Sequence, residues 1–245
     1  MGQAIITMAG FGRRFLDAGY QVPKYRIEAH GRSLFAWSML SLRSFIVAGW
    51  DFCFVVRRAD DAEDFIRREA AALGMARVSI VELDAPTNGQ ATTALLASTA
   101  LHDTAAPMLI YNIDTFVHPR ALPADAPRGD GWIPCFKAQG DAWSFAAADA
   151  QGRVTEVREK RRISPNATVG LYYFASFDRY ADLYSRHYAD QGGLEMGEAY
   201  VAPMYNTLID EGGSVYLHDV PVADVIPLGV PEDVKRFEAA APPAV

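Results

Sequence analysis

The chain has 245 residues, half of them hydrophobic, and a formal net charge of −7. That charge argues against a nucleic-acid-binding protein, which would show a basic stripe, and no apolar run approaches the length of a membrane span. The two cysteines, Cys53 and Cys135, are too few for a disulfide framework or a zinc site. Because the N-terminus leads into a predicted strand without a signal segment, we expect a cytoplasmic protein.

The first predicted strand, residues 4–8, leads into a glycine-rich turn. Gly10 and Gly12 allow the backbone to turn sharply, and its N–H groups then form a concavity suited to phosphate oxygens. Arg14 and Lys24 add two cations beyond the turn. These features predict a polyphosphate site, although a Gly-x-Gly turn alone is often only a tight turn. The third glycine of the dinucleotide fingerprint is missing, and so is the Gly-x-x-x-x-Gly-Lys-[Ser/Thr] loop.

Strands and helices alternate in the first half of the chain. The sequence predicts strands at residues 4–8, 50–56, 78–83 and 108–114, and helices after Ser33, to about Leu73 and over 90–101. This alternation predicts a mostly parallel sheet with helices on both faces. Ligands in such sheets gather at the carboxyl ends of the strands, where Gly10, Gly89 and Asp114 fall. We interpret the charge run from Arg57 to Asp64 as a solvated helix face.

Short strand-like runs dominate the second half. They cover residues 132–137, 143–148, 153–158, 169–174 and 215–220. They predict a more antiparallel region over the open face of the sheet. Helices are predicted at 177–187, at 198–211 with a bend at Pro203, and at 231–239. The Ala/Pro-rich tail at 239–245 is expected to be disordered.

The N-terminal stretch resembles the signature of the sugar-phosphate nucleotidyltransferase family. Residues 8–12 match its apolar-Ala-Gly-x-Gly, Arg14 falls on its arginine and the pair at 23–24 falls on its Pro-Lys. Arg13 departs from the family's usual small hydroxyl residue. The resemblance extends over residues 4–237. It implies a Rossmann-like, GT-A-type α/β fold: a three-layer sandwich with a mostly parallel central sheet and a smaller antiparallel region on the acceptor side.

The resemblance also assigns metal and nucleotide ligands. Asp114 falls on the family's metal-binding aspartate at a strand end, so we expect it to hold Mg²⁺ against the nucleotide phosphates, although such an acid alone would suggest a cap or turn residue. Pro227 stands where the family often has a second aspartate, and Asp224, or else Asp219, is expected to replace it. The residues expected to bind the nucleotide, including those of the loop that resembles the family's base-contacting loop, are Met8, Ala9, Gly10, Gly12, Arg13, Asn88, Gly89, Gln90, Thr92 and Asn112.

Acceptor-binding residues are expected in the second half. Glu159-Lys160 resembles the family's Glu-Lys pair, whose lysine meets the acceptor's phosphate, and Gly170 matches the Gly-apolar-Tyr strand. Glu195 and Glu198 resemble a loop that often meets the acceptor, with a capping carboxylate as the alternative. The expected catalytic residues are Arg14, Lys24 and Lys160.

The resemblance implies transfer of a nucleoside monophosphate from an NTP to a phosphorylated acceptor, with release of pyrophosphate. The acceptor would be a sugar 1-phosphate or a small alcohol phosphate, and the product a surface-polysaccharide precursor. Because the acceptor phosphate is already an anionic nucleophile, no strong general base is required, and cations with Mg²⁺ would carry catalysis by positioning and charge neutralisation.

Two other functions remain open from the sequence. A GT-A glycosyltransferase using a nucleotide sugar would usually show Asp-x-Asp where this chain has Asn112-Ile113-Asp114. A catalytically weak nucleotide-sensing subunit would be consistent with Pro227. We expect one domain over residues 1–238, with a nucleotide-binding half at 1–130 and an acceptor-binding half at 131–238. It is expected to act as a monomer or homodimer without nucleic-acid or membrane partners.

Overall fold

The computed structural model describes residues 1–189 and 193–245. Its strands are β1 Gln3–Thr7, β2 Glu28–Ala29, β3 Arg32–Ser33, β4 Asp51–Arg57, β5 Val78–Leu83, β6 Met108–Asn112, β7 Thr115–Val117, β8 Gly131–Lys137, β9 Ser144–Ala148, β10 Val154–Glu159, β11 Asn166–Thr168, β12 Leu171–Phe174, β13 Val215–Asp219 and β14 Val225–Pro227. Its α-helices are α1 Arg13–Asp17, α2 Leu34–Leu40, α3 Arg43–Val47, α4 Glu63–Ala72, α5 Gln90–Leu95, α6 Phe177–His187, α7 Met204–Asp210 and α8 Pro231–Ala239.

Ten of these strands form one sheet in the order β10–β9–β11–β8–β12–β6–β1–β4–β5, with β13 also paired to β8. Strands β6, β1, β4 and β5 are parallel neighbours, and β12 adds to β6 in the antiparallel direction. The α/β class with a parallel nucleotide half is therefore confirmed. The position predicted for the antiparallel strands was wrong. They extend the central sheet at β12 and do not form a separate region over its face.

Helices cover both faces of the sheet. Because successive strand residues point to opposite faces, Ala4 and Ile6 pack with the α2–α4 side, whereas Ile5 packs with the side of α5, α6 and α7. Strands β1 and β4 are apolar at almost every position because both of their faces are buried. The result is the expected three-layer sandwich. Within the described residues, no helix combines the length and apolar character that crossing a membrane requires.

A smaller apolar cluster holds β7, the short strand that follows β6. Trp37 of α2 makes edge-to-face contacts with Phe116 of β7 and Phe237 of α8, at ring-centroid distances of 5.5 and 5.1 Å. Strand β14 pairs with β7, so that Pro227 lies opposite Thr115. This cluster therefore holds β7 and, through its pairing with β7, β14 beside the end of β6.

The helix predicted at 198–211 was wrong in its first part. Glu195 and Glu198 instead exchange backbone hydrogen bonds of 3.1 and 2.9 Å around a tight turn, and α7 begins only after Pro203. Both residues inside the turn have positive φ, 51° at Met196 and 80° at Gly197, which favours a hairpin turn over a helix start. The tail after Ala239 contains no helix or strand, and the Ala244 carbonyl lies 3.0 Å from His118 Nε2.

Candidate active site

The glycine-rich turn lies at the carboxyl end of β1. We call residues 9–14 the phosphate loop. Met8 and Ala9 are buried beneath it, and the Met8 N–H donates to the Val55 carbonyl at 2.8 Å. Gly12 has a φ of 61° and precedes α1, which the buried Phe15 anchors. Because Phe15 points inward, Arg13 and Arg14 of α1 are left exposed. A Cβ atom on Gly10 would have no other atom within 4 Å, so the loop is open at that residue.

Lys24 and Asp114 form an ion pair beside this loop. Lys24 Nζ lies 2.9 Å from Asp114 Oδ2, and the two side chains are 20% and 30% exposed. A Cβ atom on Gly12 would lie 3.8 Å from Cβ of Lys24, so the phosphate loop and Lys24 are adjacent. The structure therefore brings together three separately predicted elements, from residues 12, 24 and 114.

Neighbouring backbone groups hold Asp114 at the bend between β6 and β7. The buried Tyr111 hydroxyl donates to the Thr115 carbonyl at 2.7 Å, and the Leu228 N–H donates to the Asp114 carbonyl at 2.8 Å. A Cβ on Gly229 would come within 3.8 Å of Asp114 Oδ2. The segment at 227–229 therefore lies beside Asp114, but it brings no second carboxylate there.

Asp224 does not accompany Asp114. Its carbonyl accepts from the N–H of His118, which follows Asp114 by four residues along a strand that rises about 3.3 Å per residue. The Asp224 side chain is 4% exposed and forms a bidentate ion pair with Arg120. The other candidate, Asp219, lies 3.2 Å from Lys137 Nζ. Asp224 is therefore not in place to share a metal ion with Asp114, and Asp219 is paired with Lys137 instead.

The base loop, residues 86–94, meets the end of β6. The Gln90 side-chain amide donates to Asn112 Oδ1, and the Asn112 N–H donates to the Gly170 carbonyl at 3.2 Å. Gly170 has a φ of 78°, and a Cβ there would lie 2.7 Å from Asn112 Nδ2. The two halves of the chain are thus in direct contact, with Asn112 at the junction.

Two threonines of this loop make internal contacts. Thr92 Oγ1 bonds to the Asn88 side chain and lies 2.7 Å from the Tyr184 hydroxyl. Thr93 is buried and donates to the Gly89 carbonyl at 3.0 Å. These hydroxyls therefore support the loop through contacts with the chain itself.

Lys160 has an unusual backbone and two side-chain partners. Its φ is 46°, and its N–H donates to the Trp143 carbonyl at 3.0 Å. Its ammonium donates to the Tyr200 hydroxyl at 2.9 Å and lies 3.5 Å from Glu159 Oε1. Burial lowers the pKa of Lys160, but the bonds to Tyr200 and the charge of Glu159 outweigh it, so the pKa is raised overall. The lysine is therefore charged at neutral pH.

Glu159 and Glu195 are the carboxylates near that ammonium group. Glu159 is largely buried and accepts from the Ser144 hydroxyl. Burial and then the charge of Glu159 raise the pKa of Glu195, against the opposing effect of Arg158 and Lys160. We call residues 195–198 the acceptor hairpin. Glu198 lies exposed at its end and interacts with Tyr200. Glu159, Lys160, Glu195 and Glu198 therefore lie near one another, whereas Gly170 contacts Asn112.

A backbone connection between the two regions was not predicted. The Ala199 N–H donates to the Asn88 carbonyl at 2.8 Å, and the Ala91 N–H donates to the Ala199 carbonyl at 2.9 Å. Gly89 is required there, because a Cβ would lie 2.5 Å from the Ala199 carbonyl oxygen. No signal in the sequence identifies Ala199 or Ser144, since both act through contacts with residues distant along the chain.

No protein-family model matches the chain, and no curated protein sequence does so either. Among solved structures, the chain matches the nucleoside-diphosphate-sugar pyrophosphorylase from Vibrio cholerae RC9 with 35% identity and a TM-score of 0.90, over 97% of this chain and 100% of that chain. The inositol-1-phosphate CTP transferase from T. maritima is 18% identical, with a TM-score of 0.75 over 94% and 90% of the two chains.

The CTP:phosphocholine cytidylyltransferase from Streptococcus pneumoniae is 15% identical, with a TM-score of 0.73 over 97% and 98%. The matches at 18% and 15% identity show a shared fold. The match at 35% identity spans both chains almost completely, and it confirms the resemblance carried by the phosphate loop and Lys24. The chain therefore belongs to the sugar-phosphate nucleotidyltransferases, the family of the nucleoside-diphosphate-sugar pyrophosphorylases.

Proposed function

We propose that this chain transfers a nucleoside monophosphate from an NTP to a phosphorylated small molecule and releases pyrophosphate. The observation that carries this proposal is a continuous series of contacts across the sheet edge. It runs from the Lys24–Asp114 pair to Asn112 and Gln90, and then through Ala199 and Tyr200 to Lys160. A polyphosphate site and a second anion site are thus parts of one connected surface, as a two-substrate transfer requires.

The cations have distinct proposed roles. Arg14 and Lys24 neutralise the triphosphate, and Lys160 binds the acceptor phosphate. An acceptor phosphate oxygen attacks the α-phosphorus of the NTP, and the bond from that phosphorus to the bridging oxygen of the β-phosphate breaks. The released pyrophosphate carries the electron pair. Because negative charge collects on the departing group, cations fixed beside the phosphate loop favour the transition state.

The residues present fit a magnesium ion held mainly by its substrate. Among residues 1–189 and 193–245, no cluster of three or more His, Cys, Asp or Glu side chains could hold a metal. Mg²⁺ commonly binds through one or two carboxylates together with substrate phosphates and waters. Asp114 is such a carboxylate beside the phosphate loop, and we propose that it holds the ion. Bound Mg²⁺ would supply charge neutralisation, and Lys24 would then be released from Asp114 toward the phosphates.

The acceptor is proposed to be a sugar 1-phosphate or a small alcohol phosphate. The named relatives support this class: inositol 1-phosphate and phosphocholine appear in the names of two of them. The acceptor hairpin and Glu159 present carboxylates that can accept hydrogen bonds from hydroxyls or face a cationic group. The product would serve as a precursor of a surface polysaccharide.

The proposed setting follows from the substrates. An enzyme that consumes an NTP works where NTPs are made, so we propose a cytoplasmic location. The net charge of −7 supports action without a nucleic-acid partner. We propose a monomer or a homodimer that does not require a membrane.

A pyrophosphate-release screen tests the proposal. Each of the four common NTPs is combined with Mg²⁺ and one of a panel of sugar 1-phosphates and alcohol phosphates. We expect release with one NTP and one acceptor class, and Lys160→Ala should raise the KM for that acceptor while the KM for the NTP stays the same. Release without an acceptor would contradict the proposal, because it would indicate hydrolysis of the NTP. No release with any pair would also contradict it and would favour a nucleotide-sensing role.

A further inference from the structure

The end of β4 and the turn that follows it, together residues 57–61, contact both parts of the phosphate site. The Arg57 guanidinium lies 4.8 Å from the ring centroid of Phe11, which stands between the two glycines of the phosphate loop. From the same turn, the carbonyls of Asp60 and Asp61 accept from the Arg26 guanidinium, at 3.1 Å for Asp60. Arg26 closes the short helical turn that begins at Lys24. One turn therefore joins the glycine segment to the lysine segment.

Arg57 is itself held in place by Asp60. Its Nε lies 3.3 Å from Asp60 Oδ2 and its Nη2 bonds to Oδ1, which makes a bidentate pair. The two side chains are only 21% and 6% exposed. A planar guanidinium bonded along its edge to a carboxylate keeps its face available for an aromatic ring. The contact with Phe11 is thus made by a partner of fixed orientation.

The phosphate loop has few other side-chain attachments. Phe11 is 41% exposed although it is a large apolar residue, and Arg13 stacks on the same ring at 5.4 Å. After the buried Phe15, the chain from residue 16 to residue 22 lies mostly at the surface. A loop that binds phosphate through backbone N–H groups must keep those groups aligned, because misalignment weakens every bond at once.

We propose that Arg57 is a positioning residue that acts through Phe11 to fix the phosphate loop relative to the Lys24 turn. Arg57 itself is paired with Asp60 and contacts the loop through the ring of Phe11. The identity of the loop's ligand rests on the proposed function, but the loop's attachment does not. Loss of the stacking contact should loosen residues 9–14 and leave the rest of the fold intact.

Limited digestion with trypsin, without nucleotide, measures the loosening directly. The exposed Arg13 and Arg14 provide cleavage sites inside the phosphate loop, and mass spectrometry reports cleavage there. Phe11→Leu keeps an apolar side chain but removes the aromatic face. Arg57→Lys keeps a charge beside the buried Asp60, so the fold is retained, but loses the flat fork. We expect each variant to raise the cleavage rate about threefold to tenfold.

The double variant separates positioning from other roles. If Arg57 acts through Phe11, then Phe11→Leu with Arg57→Lys should be cleaved no faster than the faster single variant. Arg67→Met is the matched control, because it removes an exposed ion-paired arginine from α4, away from the loop, and should leave the rate unchanged. Additive effects of the two substitutions, or unchanged cleavage in Arg57→Lys, would overturn the inference.

Kinetics supply a second readout. With an NTP and acceptor pair that the wild-type chain uses, both single variants should raise the KM for the NTP about threefold to tenfold, with the acceptor KM unchanged. A rise confined to the acceptor KM would refute the positioning role. If the wild-type chain transfers nothing, the proposed function fails, and the digestion rates still decide the role of Arg57 alone.

Discussion

Lys24 lies beside both the phosphate loop and Asp114, and its single charge can interact with either a bound phosphate or this carboxylate. In the structure it neutralises Asp114 at 2.9 Å. A bound triphosphate would compete for the same ammonium group, and an arriving Mg²⁺ would compete for the carboxylate. The pair therefore keeps both charges compensated, and in the proposed reaction the triphosphate and Mg²⁺ would each replace one partner.

We expect Lys24→Met to abolish most turnover, on the order of 10²-fold or more, because a fixed cation facing the developing charge is lost. Arg14→Ala should show a loss of the same order for the same reason. Turnover under saturating substrates, with circular dichroism to verify folding, is the measurement. Lys235→Ala removes an exposed lysine of α8 as the control. Normal turnover in the Lys24 variant would contradict its role at the phosphates.

The two aspartates assigned to the metal should behave differently. Asp114→Asn should lower Mg²⁺-dependent turnover on the order of 10²-fold. Asp224→Asn should leave the Mg²⁺ dependence unchanged and lower the Tm by a few degrees, because a buried carboxylate paired with Arg120 is lost. A Mg²⁺ titration of both variants, combined with thermal melts, checks this. An altered Mg²⁺ requirement in the Asp224 variant would show that its segment moves to the metal.

At this scale, local motifs predicted contacts well and isolated charges did not. Lys24 was identified because it falls on the Pro-Lys of a family signature, and Asp114 because it falls on the family's aspartate at a strand end. The structure brings them together. Asp224 was favoured by its nearness in sequence to Pro227, but the pairing of β14 with β7 carries it away from Asp114. The charge run after β4 was interpreted as solvated, yet the side chain of Asp60 is only 6% exposed. Composition alone does not show which charge of a run turns inward.

At the scale of elements, the contact between the β11–β12 connection and the end of β6 couples the two halves of the site. Gly170 accepts a backbone bond from Asn112 and lies against its side-chain amide. That amide in turn receives the bond from Gln90. A side chain at residue 170 would therefore displace Asn112, and this displacement would reach the base loop through Gln90 without direct contact.

Gly170→Ala should displace Asn112 and raise the KM for the NTP in addition to destabilising the fold. Gly152→Ala is its matched control, because the φ values are 78° and 76° and no atom lies within 4 Å of the Cβ that residue 152 would gain. Both substitutions should lower the free energy of unfolding by roughly 1–2 kcal/mol for the left-handed backbone. Denaturant unfolding and the NTP KM are the measurements. Equal effects of both variants on KM would show that the Asn112 contact is immaterial.

Elements with a strong local signal were predicted correctly. Ser33 caps α2 as expected and accepts from the Ala36 N–H at 3.0 Å, and α6 and α8 have the predicted extents. The start of the helix predicted at 198–211 failed because Ala199 bonds to the base loop instead of to its own helix. The sequence could not show this, since the competing partner lies more than a hundred positions earlier along the chain.

For the molecule as a whole, buried phenols lie on both sides of the sheet, with Tyr111 on the α2–α4 side and three others on the side of α5, α6 and α7. Burial raises the pKa of each of these side chains, which are Tyr111, Tyr172, Tyr180 and Tyr205. The folded state therefore holds these protons more tightly than the unfolded state does. Their contribution to stability is complete below the ordinary tyrosine pKa of about 10 and is lost as pH rises above it.

We expect cooperative unfolding at alkaline pH, starting above about pH 10, in which these phenols ionise together with loss of the fold. Tyrosinate absorbance and circular dichroism followed during one base titration should change in parallel for this group. Full ionisation of all tyrosines while the circular dichroism stays native would contradict the prediction.

The sequence predicted the layered α/β architecture because the apolar runs of β1, β4 and β6 and the helices between them are local patterns. The single continuous sheet was not predicted, since it depends on which edge β12 joins. Strand β12 pairs with β6, which lies about sixty residues earlier in the chain. No short-range sequence pattern indicates a pairing between strands so far apart.

The bonds between Ala199 and the base loop bear on how this enzyme can be re-engineered. Specificity loops are often exchanged between homologues as if each were a separate cassette. Here, exchanging only residues 195–200 would replace Ala199 but not its backbone partners at residues 88 and 91. Those partners would still come from the host and would be adapted to a different segment. The smallest exchangeable unit is discontinuous and consists of residues 88–91 together with 195–200. Chimeras that recombine these two pieces from different parents should fold poorly or lose nucleotide preference, whereas chimeras that inherit both from one parent should keep it.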